Sequence, residues 1–128
     1  MALRPIPISD IERTLYEKLK NVSDNVYINN APLATAERKQ DYIVLDFGNN
    51  IYNEGAYLRT TAIVYVFVRT KLSGVEDSGR LNAIINSLIT EFPYTDDHVT
   101  VIDPTVSVGV RVNDFTRNAI SYRVIIKN

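Results

Sequence analysis

The sequence predicts an α+β domain: a mainly antiparallel sheet covered by a long helix at about 77–92, with an N-terminal helix at about 10–21 and a C-terminal β-hairpin. Three observations carry this. The stretch YLRTTAIVYVFVRT at 57–70 is rich in β-branched and aromatic residues and holds no Gly or Pro, the composition of a strand within a sheet. Further on, Leu81, Ile84, Ile85, Leu88, Ile89 and Phe92 fall at i, i+3, i+4, i+7, i+8 and i+11, one stripe of a helix. Near the end, Val106, Val108, Val110 and Val112 alternate with Ser107, Gly109 and Arg111, and AISYRVIIK at 119–127 returns after a short polar turn at 113–117.

In chain order, the first helix is marked by Ser9-Asp10-Ile11-Glu12. This S-x-x-E pattern lets the Ser and Glu side chains each accept a backbone N–H that has no partner within the helix. Ile11, Leu15 and Leu19 then form an apolar stripe against a polar face of mixed sign, which predicts packing on the same domain. Val26-Tyr27-Ile28 is a short strand and 29–32 a turn, while 33–40 is Ala-rich and polar and reads as loop. DYIVLDF at 41–47 is another strand, and Gly48-Asn49-Asn50 a turn that tolerates positive φ. Residues 41–70 therefore predict a hairpin with a wide end at 48–56.

Within the long strand, Leu58, Thr60, Ala62, Val64, Val66 and Val68 alternate with Tyr57, Arg59, Thr61, Ile63, Tyr65, Phe67 and Arg69. Both sets are apolar in the middle, which predicts a central strand covered on both faces. Asp77 or Ser78 caps the following helix and Pro93 stops it. Burying its six large apolar side chains is worth about 9 to 18 kcal/mol before entropy is subtracted, so this helix is predicted to be the main cover of the sheet. Residues 99–102 form a short strand ended by Asp103-Pro104.

A chain of 128 residues reads as a single domain over 1–128. Without cysteine there is no disulfide framework or thiolate chemistry. Fourteen basic and fifteen acidic residues give a formal net charge of −1, which argues against a general nucleic-acid binder working through a strong positive field. The first ten residues lack an apolar signal segment, and no stretch reaches the roughly 20 apolar residues of a membrane span. These features predict a soluble protein that is not secreted. In that setting the Asn21-Val22-Ser23 sequon is a chance match.

Candidate chemistry is sparse. Gly74-Val75-Glu76-Asp77-Ser78-Gly79 has the glycine spacing of a phosphate-binding loop, but Arg80-Leu81 replaces Lys-Ser/Thr and two carboxylates would repel phosphate. Asp96, Asp97, His98 and Asp103 bring metal-ligand side chains together, with one His and no defined ligand spacing. Asp41 and Asp46, five residues apart on a strand, face opposite sides and cannot act as a carboxylate pair. No serine sits in a G-x-S-x-G elbow. The residues thus predict no catalytic, cofactor or metal site and no enzyme. An alternative is a small ligand-binding or enzymatic domain with Tyr65, Phe67 and Tyr122 lining a pocket.

The order IERTLYEKLKN, DYIVLDF, LRTTAIVYVFVRT, GRLNAIINSLITEF, VSVGVRV and ISYRVIIK resembles, over most of the chain, the tail terminator (tail completion) proteins of long-tailed bacteriophages. The resemblance is one of length and element order. It implies a structural virion assembly protein that forms a ring, usually hexameric, capping the tail tube and joining it to the head connector. Implied partners are further copies of the chain, the tail tube protein and a head–tail connector protein, with DNA only in passage through a channel and no membrane. The implied location is the virion, or the host cytoplasm during assembly. Another head–tail connector component or a tube subunit has a similar layout. In a ring, the loops at 48–56 and 113–117 are expected to touch neighbours through Asn49, Asn50, Tyr52, Asp114 and Phe115.

Overall fold

Strands dominate the molecule. The computed structural model describes residues 8–23, 25–28, 41–47, 51–69, 78–107, 109–112 and 115–127. Among these residues two helices, α1 (Ile8–Lys20) and α2 (Ser78–Glu91), accompany eight strands: β1 (Val26–Ile28), β2 (Tyr42–Phe47), β3 (Tyr52–Asn53), β4 (Tyr57–Arg69), β5 (Tyr94–Thr95), β6 (Val99–Val106), β7 (Val110–Val112) and β8 (Phe115–Lys127). All eight strands form one sheet in the order β1-β2-β4-β8-β6-β5, with β3 joined to β4 and β7 to β8. The β1–β2 pair is parallel and the others antiparallel, so the sheet is mixed.

The predicted long covering helix is not present, and the fold class is corrected accordingly to a large mixed sheet with two short helices. The physical reason is length. A 14-residue helix rises about 21 Å, whereas the 13-residue strands β4 and β8 run about 43 Å. The predicted six-residue stripe is also only partly used. Leu81, Leu88 and Phe92 are buried, Ile84 and Ile85 are half-buried, and Ile89 is 62% exposed. Ile11, Leu15 and Leu19 of α1, spaced i, i+4, i+8, bury as many large side chains, so the two helices share the work.

Both helices pack on one face, against Ile43, Leu45, Ala62, Val64, Val66, Val68, Val101, Ile120, Val124 and Ile126. These residues occupy alternate positions of β2, β4, β6 and β8, as the strand pleat requires. Asp41 ties α2 to the sheet: its carboxylate accepts the Arg69 backbone N–H at 2.9 Å and pairs with Arg80 in the first turn of α2. On the second face, among the described residues, a small cluster of Tyr42, Val44 and Phe115, flanked by Tyr27, Tyr65, Phe67 and Val112, covers one end. Tyr42 stacks on Phe67 at 4.4 Å between centroids and meets Phe115 edge-on at 5.3 Å. At the other end of that face Tyr57, Thr61 and Arg123 are exposed.

The C-terminal hairpin also differs from expectation. The strand predicted across 106–112 is divided: Val106 ends β6 and Val110 begins β7. The register of β6 on β8 shifts between Ile102 and Thr105, where Pro104 has no N–H to donate. β8 begins at Phe115, inside the predicted turn, and pairs with β4 along its whole length from Arg69↔Phe115 to Tyr57↔Lys127. The predicted loops at 29–40, 48–50 and 71–77 and the pair 113–114 lie outside the described residues, as does the Ser9 side chain. Among the described residues no helix is long and apolar enough to cross a membrane.

Candidate functional site

The acid-rich turn after α2 is a structural device. Asp96 accepts the backbone N–H groups of His98 and Val99 at 2.7 and 2.8 Å and the Tyr94 hydroxyl at 2.7 Å. Burial alone would raise its carboxyl pKa, but the bonds from His98, Tyr94 and Val99 outweigh it and hold the carboxyl below its ordinary value. The same hydrogen bond to Asp96 pushes the Tyr94 hydroxyl up, with burial adding to it. The carboxylate is thus committed to the turn that leads into β6. Among the described residues no three His, Asp or Glu side chains gather as a metal-ligand set.

The pocket imagined from Tyr65, Phe67 and Tyr122 does not form, because the three rings lie on opposite faces of the sheet. Tyr122 pairs opposite Ala62 and packs against Phe92 at 5.0 Å in the helix-side core, where burial pushes its hydroxyl up to about 12. Tyr65 and Phe67 belong to the second face. Asp41 and Asp46 are also engaged apart, Asp46 with the Phe47 backbone N–H at 2.9 Å.

Of the predicted contact residues, Asn49, Asn50 and Asp114 lie outside the described residues. Tyr52 sits in β3 at 48% exposure, and the Arg59 guanidinium lies over its ring at 4.6 Å while pairing with Glu54 at 3.1 Å. Phe115 requires correction: it is not on a loop but at the start of β8, fully buried beneath Arg69 and against Tyr42. Its neighbours Asp114 and Thr116 are polar, which reads as a turn until the β4–β8 register is known.

Exposed apolar side chains, of which the sequence reading singled out Tyr52 alone, stand at the sheet margins. Ile51, Tyr52 and Tyr57 are exposed around β3; Val106 and Val110 are exposed where β6 gives way to β7, Val106 aligned with the helix-side Ile120 and Val110 with Arg117 of the second face. Tyr52 aligns with Arg59 on β4, while Val110 aligns with Arg117 and, through it, with Phe67. Tyr52 and Val110 therefore lie on opposite flanks of the β4–β8 pair, about 26 Å apart along the strands and about 14 Å across them. The two margins are unlike: two tyrosines and an isoleucine against two valines.

The second face carries a further feature. Arg59 and Arg69 of β4, and Arg117, Arg123 and Lys127 of β8, all point to it by strand alternation. Three of them rest over rings on that face: Arg59 over Tyr52, Arg69 over Phe115 at 5.8 Å, and Arg117 over Tyr65 at 5.3 Å. The signal available in the sequence was the alternation in each strand. Only the pairing of β4 with β8 joins the two rows.

No family model matches this chain. No curated protein matches it either. Among solved structures, seventeen chains match. One of them, whose name states no function, aligns over 94% of this chain and 92% of its own with a TM-score of 0.62 at 12% identity. At that identity the likeness is one of fold alone.

Proposed function

We propose that the chain is a structural virion assembly protein of the tail-terminator kind. Copies join edge to edge into a ring, a hexamer, which caps the tail tube and meets the head connector, with DNA passing only through its channel. Its place is then the host cytoplasm during assembly and the virion afterwards. The observation that supports this reading is the exposure of unlike apolar side chains at two margins of one sheet. A patch that met its own copy would give a two-fold dimer; two different patches that meet each other give a head-to-tail contact, and a rotation that closes makes a ring. In this reading the exposed Ile51, Tyr52 and Tyr57 of one copy meet the exposed Val106 and Val110 of the next.

Assembly state at high protein concentration tests this, by mass-resolved sizing and negative-stain microscopy. The expected result is a single closed ring, formed alone or on tube ends, and lost in Val110→Asp and in Ile51→Lys with folding intact. A strict monomer under all conditions, including with tube protein present, would sink the reading. Growth into long tubes would replace it by that of a tube subunit.

A further inference from the structure

We infer that the second face of the sheet is a binding surface for single-stranded nucleic acid, held through its phosphates; this goes beyond the ring and does not rest on it. The first argument is charge segregation. The chain as a whole has a formal net charge of −1. Yet among the described side chains this face gathers Arg59, Arg69, Arg117, Arg123 and Lys127 against Asp46 and, at the rim, Glu54. A near-neutral total conceals a basic face and leaves an acidic remainder, which orients the molecule toward a polyanion.

The second argument is geometry. Both described helices pack on the opposite face, so no described helix covers this one. Arg117, Arg123 and Lys127 lie on one strand at six- and four-residue steps, about 20 and about 13 Å apart, and Arg59 and Arg69 bracket the neighbouring strand. That row is long enough to follow several phosphates. Arginines lying over rings lose less freedom when a phosphate arrives, because the ring already restricts the guanidinium. Lys127 is likewise held, donating to the Asp96 carbonyl at 2.7 Å and to Thr95 Oγ1 at 3.0 Å, both neutral partners.

The third argument selects a single strand. The face is a sheet surface, with no described helix projecting from it to enter a duplex groove. It does carry a ring clear of the proposed subunit contact: Tyr65, half-buried, lies beside Arg117. Aromatic side chains between cations on a sheet suit unstacked bases, whose flat faces stack without regard to sequence.

The test is fluorescence anisotropy of the full chain with a labelled mixed-sequence DNA single strand of about 16 nucleotides, titrated across salt. Binding is expected to weaken as salt rises. Arg117→Glu/Arg123→Glu should weaken it by at least about tenfold and flatten the log–log salt slope by about 1.4, two phosphate contacts' worth. Arg123→Glu alone, at an exposed position, should give an intermediate loss with the native circular dichroism spectrum. Arg13→Glu/Lys20→Glu on α1, behind the opposite face, should leave binding unchanged. Four results would overturn the assignment: no binding at low salt, equal loss in the α1 variant, a duplex bound more tightly than the single strand, or polyglutamate or phosphatidylserine vesicles bound as well as the oligonucleotide.

Discussion

Replacing Phe115 by Ala separates two roles for one residue. Read from its polar neighbours, Phe115 belongs to a loop that touches another subunit; in the fold it is fully buried, edge-on to Tyr42 at 5.3 Å and opposite Arg69 across the β4–β8 ladder. Removing a buried Phe costs about 3 to 5 kcal/mol through lost transfer energy and the cavity left behind. The Tyr42 pair contributes about 0.5 to 1.5 kcal/mol within or beyond that figure. Because domains of this size have about 5 to 15 kcal/mol in all, the loss is a large share of stability. Urea unfolding followed by circular dichroism reads it directly. With an m-value of about 1.5 kcal/mol per M, the midpoint should fall by about 2 to 3 M at unchanged slope. Tyr52→Ala, at 48% exposure, serves as the contrast and should move the midpoint by less than about 0.5 M. A Phe115→Ala variant that unfolds at the wild-type midpoint while failing to assemble would refute the core assignment.

Two further outcomes are expected. At Gly109 an added Cβ would lie 2.8 Å from Asn118 Oδ1 and 3.0 Å from Thr116 Cγ2, and Asn118 is itself buried with its amide donating to the Ser107 carbonyl at 3.4 Å. Gly109→Ala should therefore cost about 1 to 3 kcal/mol in thermal unfolding, and Asn118→Ala in the same chain should recover part of it; full stability of the single variant would mean that Asn118 yields freely. Asp96 has a carboxyl held below its ordinary value, so between its unfolded and folded pKa the unfolded chain binds the extra proton. Its contribution is present above about pH 3.9 and is lost as pH falls through the folded value. Asp96→Asn should cost about 1 kcal/mol at neutral pH, a figure held down by the water around a half-exposed turn, and should make stability decline less steeply in acid. An unchanged acid slope would show that the turn does not depend on the charge.

The alternation of Leu58 to Val68 against Tyr57 to Arg69 and the i, i+4, i+8 spacing of Ile11, Leu15 and Leu19 are local facts, visible because the strand and helix periods act on neighbours in the chain. From them the sequence by itself determined where the long strand and the first helix lie and which of their side chains share a face. Other features depend on residues far apart in the chain. The extent of the helical cover is one of them, because an apolar stripe says which side a helix buries, not how much sheet it spans; Ile89 belongs to the stripe and still faces water. Phe115 looked like a turn residue until its partner, 46 positions earlier at Arg69, placed it in a strand. The exposure of Ile51, Tyr52, Tyr57, Val106 and Val110 at the margins, and the basic row shared by β4 and β8, exist only once the strands are laid side by side. Tertiary structure alone decided the candidate surfaces, because strand order and register arise from long-range pairing that no local period encodes.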